Sequence, residues 1–206
     1  MNEPHPAAIP STIWACGADV LDPNDLWPAV VLRRAITEFS RPAARVRLLA
    51  ATKTHQLAAR RAHTQLADTG REISTDSPAT RGEADLIIAS LLPAPTHPHS
   101  TDSYTRLAFT AADQLRGGAV LAVLTRTGLT PAHTLDDPTG PIVTAAQSAD
   151  LLYLSHIVAT PIRDDTIPAP EHHSHPENRH HVAHIDLTVF IRPDDQNLAA
   201  AVDHAA

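Results

Sequence analysis

Three short runs constrain this chain more than any other feature: Arg45–Ala51, Asp85–Ser90 and Ala119–Leu124. The second and third are almost continuously apolar. A strand with one wet face alternates polar and apolar residues, whereas a run without alternation must be covered on both faces. Between the runs lie segments with apolar residues at helical spacing. Asn24 or Asp25 can cap a helix from Leu26 to Phe39, with Leu32, Ile36 and Phe39 on one face, ended by Pro42. A second helix spans Thr54 to Asp68 and closes at Gly70. A third runs from Asp102 to Arg116, stopped by Gly117 and Gly118, and a short fourth from Pro141 or Ile142 to Ala149. Glu72 to Gly82 reads as loop.

Strands alternating with helices predict an α/β three-layer sandwich, a mostly parallel sheet with helices on both faces. The end differs. Leu151–Ile162 and Val182–Ile191 read as strands joined only by a His- and Pro-rich loop, 163–181, so an antiparallel final strand is expected. The chain divides into an extended lead-in (1–22, with Ser11–Ala15 a short strand or anchored segment), one domain (23–193) and a tail (194–206). Only 3% of residues are aromatic, so Ala, Val, Leu and Ile must fill the core. Cys16 is the only cysteine, which excludes an internal disulfide. The N-terminus shows no basic segment followed by an apolar run, and no stretch reaches the roughly 18 apolar residues of a membrane span, so a cytoplasmic protein with no membrane partner is expected.

Several stretches resemble the Rossmann-like methyltransferases that use S-adenosylmethionine, specifically the amino-directed DNA methylases of actinobacteria. Ile9–Ala15 is similar to their lead-in, Glu38–Pro42 to the end of the helix entering the cofactor-binding strand, and Ala84–Ser90 to the strand carrying the catalytic tetrapeptide. Leu115–Leu121 resembles the Gly-Gly turn before the fifth strand. Ile142–Gln147, Leu151–Ala159 and His184–Pro193 resemble the helix and strands that follow. The resemblance implies a methyltransferase-type sheet and S-adenosylmethionine as cofactor.

The departures fall where the chemistry would be. The family's first strand ends in a glycine loop, because only glycine lets backbone approach the cofactor closely. Here Leu48-Leu49-Ala50-Ala51 runs into Thr52-Lys53-Thr54, leaving Thr52 and Thr54 as candidate cofactor contacts at a helix start, or as ordinary caps. Glu72 and Asp76 are the only acids available to bind ribose hydroxyls, and the distance from Ala51 to Asp85 implies that one strand–helix unit is shortened or lost. The catalytic loop would need Asp, Asn or Ser before Pro-Pro and an aromatic residue, to accept the target amine and stack the flipped base. The sequence is Ser90-Leu91-Leu92-Pro93-Ala94: Ser90 is the one catalytic candidate, and the leucines suit a core.

His172, His173, His175 and His180 are candidate metal ligands, with His181, His184, Glu171 and Glu177 nearby. They lack a defined spacing on a rigid element, so a resident metal ion is not expected and a solvated loop is the plainer reading. Residues 31–71 carry nine basic against two acidic side chains, leaving −14 on the rest of a chain of formal charge −7. A phosphate-binding face could come only from that stretch, through Arg33, Arg34, Arg60 and Arg61, so weak nucleic-acid binding at most is expected. Three functions follow: a catalytically inactive methyltransferase-like protein acting as a binding or regulatory partner of another protein, an active methyltransferase with atypical motifs, or a metal-binding protein using the His-rich loop.

Overall fold

The computed structural model describes residues 12–19, 21–22, 24–75, 81–93, 101–129, 135–167 and 184–194. Among the described residues nine strands are present: β1 (Ile13–Ala15), β2 (Arg45–Ala50), β3 (Glu72–Ser74), β4 (Ala84–Ser90), β5 (Leu115–Thr125), β6 (Gly128–Leu129), β7 (Leu135–Asp136), β8 (Leu152–Thr160) and β9 (Ile185–Ile191). The helices are α1 (Ala29–Phe39), α2 (Lys53–Gln65), α3 (Thr101–Gln114) and α4 (Thr139–Ser148).

Seven strands form one sheet in the order β3-β2-β4-β5-β9-β8-β1, and β6 pairs with β7 as a small antiparallel ribbon. Every pairing in the main sheet is parallel except those of β9, which runs against both β5 and β8. This is the expected Rossmann-like three-layer sandwich of methyltransferase type. β4 shows why the apolar runs lie inside. Leu86 and Ile88 enter one core with α1 and α2, while Ile87 and Ala89 enter the other with α3 and α4. A strand so placed can spare no position for water.

Three expectations are corrected. The first helix begins at Ala29 behind Pro28, with no side-chain cap. Asp25 instead accepts the Trp27 amide at 2.9 Å, and Asp22 that of Asn24 at 2.8 Å, which are turns ahead of the helix. Within the expected loop 72–82, β3 adds a three-residue parallel edge strand beside β2. Its pairing with β2, rather than its own weak pattern, makes it a strand. Lastly, Gly117 and Gly118 do not stop α3; the helix ends at Gln114 and both glycines lie within β5. There Ala84 opposes Leu115 but Leu86 opposes Val120, so the β5 backbone bulges. Gly118 takes φ +74°, and a Cβ on Gly117 would meet Asp194 at 3.2 Å. Gly70 does end its helical segment, in the left-handed conformation, as expected.

Candidate functional site

In a parallel α/β sheet the natural ligand position is outside the carboxyl ends of the strands. Here the segment before α1 is drawn over that edge. Ser90, at the end of β4 and fully buried, donates its hydroxyl to the Leu26 carbonyl at 2.5 Å and accepts the Leu92 amide at 3.3 Å. Trp27, 3% exposed, donates its indole N–H to the His55 carbonyl at 2.9 Å. His55, in the first turn of α2, points Nε2 at the Leu92 carbonyl, 2.6 Å away. A carbonyl only accepts, so Nε2 carries the hydrogen and Nδ1 accepts from the Thr52 hydroxyl at 2.7 Å. Thr52 in turn caps α2 by accepting the His55 amide.

These contacts place the sequence candidates. The Ser90 hydroxyl is committed to backbone partners, while Leu91 packs in the α3/α4 core and Leu92 in the α1/α2 core. Thr52 caps a helix, and Thr54 lines a different groove, beside Trp27 and Leu57. Glu72 opens β3 opposite Arg45, the first residue of β2, and lies 3.8 Å from its guanidinium. It therefore sits at the amino edge of the sheet, opposite Thr52, and the two cannot meet one ligand. Asp76, His172, His173, His175 and His180 lie outside the described residues. Among the described residues no group of three His, Cys, Asp or Glu could hold a metal ion, and no helix is long and apolar enough to cross a membrane.

Among the described residues, this edge departs from what S-adenosylmethionine needs: Ala50, Ala51 and Thr52 stand where the close approach needs glycine, and β3 ends at Ser74, with Asp76 outside the described residues. The cavity at this edge, lined in part by Thr52 and His55, holds about 280 Å³, at the small end of the roughly 300–1,000 Å³ of sites for drug-sized ligands.

Sequence reasoning missed a polar cluster farther along the same edge. Asp186, 4% exposed, accepts from His156 Nε2 at 2.9 Å, and His184 Nε2 stands 3.5 Å from its other oxygen. At that distance the His184 contact is an ion pair rather than a well-formed hydrogen bond, and that oxygen has no hydrogen-bond partner among the described residues. Arg126, 4% exposed, donates to the His184 carbonyl at 3.3 Å. The register of β5, β9 and β8 brings these groups together, from residues 30 to 60 positions apart in sequence. Only the alternation Asp186-Leu187-Thr188 within an apolar strand hinted at it.

Burial pushes the Asp186 carboxyl up, but His184 and His156 outweigh it and hold the pKa below the ordinary 3.8. Asp186 raises the His184 pKa above its ordinary 6.5, against burial and Arg126. The depressed acid stabilises the fold above the unfolded pKa and loses this as pH falls through its folded value. The raised imidazole contributes below about 6.5 and loses its contribution as pH rises through its folded value. Both contributions are therefore present together from about pH 4 to about pH 6.5. In a histidine NMR titration, Asp186→Asn is expected to move the His184 midpoint to lower pH; an unmoved midpoint would refute the coupling.

No family model matches this sequence, and no curated protein matches it. Solved structures share its outline at low similarity. A Bordetella parapertussis protein described as an exported candidate is 12% identical, with 81% of this chain and 67% of that one covered and a TM-score of 0.48. A TehB-like S-adenosylmethionine-dependent methyltransferase from Corynebacterium glutamicum is 12% identical over 78% and 86%, with a TM-score of 0.44. A DNA modification methylase candidate from Thermus thermophilus is 9% identical over 79% and 50%, with a TM-score of 0.37. The site is therefore read from this chain's own geometry.

Proposed function

We propose that this chain is a methyltransferase-like protein that does not use S-adenosylmethionine and serves as a binding or regulatory partner of another protein. One observation carries the reading: Ser90, His55 and Trp27, at or beside the place where the cofactor would lie, are bonded to the chain's own backbone and draw Leu26 and Trp27 over it. Kinship with DNA methylases rests on the sequence stretches alone, and nucleic acid is not the partner proposed. Arg33, Arg34, Arg60 and Arg61 lie on α1 and α2, which pack on the same face of the sheet. Of these, Arg33 pairs with Asp68 at 2.8 Å, and Arg34 donates to the Ala15 carbonyl and covers the Trp14 ring at 4.9 Å. Arg33 and Arg34 are thus engaged within the protein, and few phosphates could be neutralised.

Isothermal titration with S-adenosylmethionine at pH 7 tests the reading. No saturable binding is expected up to millimolar ligand. A micromolar Kd, about −8 kcal/mol, would favour the active methyltransferase instead.

A further inference from the structure

We infer that the cavity between the carboxyl ends of β2 and β4 and the flank of α3 binds a small carboxylate with an apolar body, its charge held by Arg106. The cavity exists because of the chain's shortened topology. Residues 75–83 connect β3 to β4, and a parallel crossover with a helix needs a dozen residues or more. On the α3 side of β2, Leu49 is only half-buried. What remains is a space of about 280 Å³ with walls of Leu49, Ala50, Ala51, Leu91 and Leu107.

Its polar groups are ordered by α3. Ser103, Arg106, Leu107 and Thr110 all line the cavity, and their spacing of three, one and three places them along one helical stripe. Among the described residues the Arg106 guanidinium has no ion-pair partner and the cavity lining holds no carboxylate. A planar fork of N–H donors beside an apolar hollow suits a carboxylate, which it can bind through two parallel hydrogen bonds. Thr110 offers a hydroxyl one helical turn away, whereas the Thr52 hydroxyl is already used by His55. A hollow of about 280 Å³ admits a branched or aromatic acid. The inference stands apart from the proposed function, since neither binding nor failure to bind S-adenosylmethionine decides it.

Titration of the full chain with sodium benzoate at low salt, followed by ligand-observed NMR, tests the assignment. Saturable binding is expected, with benzyl alcohol at least tenfold weaker because it lacks the charge. Arg106→Ala should weaken benzoate at least tenfold, and Ala51→Leu, at an exposed position where folding is not at risk, should abolish binding by filling the mouth. Absence of saturable binding would overturn the site. Benzyl alcohol binding as well as benzoate, or benzoate binding unchanged in both variants, would overturn the role of Arg106 and the location.

Discussion

Replacing Trp27 by alanine is expected to destabilise the protein by about 3–5 kcal/mol, the usual cost of emptying a buried aromatic site. Trp27 is 3% exposed and belongs to the α1/α2 core with Val31, Leu32 and Leu66. Its indole bond to the His55 carbonyl is also the tie between the segment before α1 and the start of α2. Trp27→Phe would keep most of the volume and forfeit mainly that bond, which contributes about 1 kcal/mol. Urea denaturation at pH 7 separates the two, as a lower midpoint at unchanged slope. A loss below about 1 kcal/mol for Trp27→Ala would mean that the segment does not pack over the strand ends as described. Trp27→Ala is not expected to restore binding of S-adenosylmethionine, because Ala50, Ala51 and Thr52 still fill the turn where glycine is needed.

Phe190→Ala is expected to cost a similar amount, about 3–5 kcal/mol. Phe190 is fully buried on β9, opposite Leu121 of β5 on one side and Tyr153 of β8 on the other. Its ring meets that of Tyr153 edge-on, with centroids 6.0 Å apart. Tyr153 is 44% exposed, so Tyr153→Ala removes the ring contact but leaves little cavity and should cost much less. Denaturation of the two single variants checks the order; equal losses would show that the antiparallel strand does not anchor the second core.

The contrast between these residues and the site explains what could be read in advance. Leu86, Ile87 and Ile88 are consecutive and all buried, which requires a strand with cover on both faces. The antiparallel β9 was legible too, since the sequence between it and β8 is rich in His and Pro and carries no helical pattern. β3 was not, because three residues at a sheet edge carry too little pattern of their own. The Gly-Gly pair was misplaced because a strand bulge and a helix stop ask for the same residue.

The candidate site was legible mostly as a lack. The missing glycine after β2 and the leucines after Ser90 were plain in the sequence, but the contacts that occupy the edge were not. The bonds from Ser90 to Leu26 and from Trp27 to His55 join residues 64 and 28 positions apart, and the Asp186 cluster needs the β8–β9 register. Local apolar pattern determined which segments are strands and helices, because burial acts residue by residue along the chain. Which polar groups meet was left to the tertiary structure, because a hydrogen bond needs its partners within about 3 Å, and only the packed sheet sets that distance.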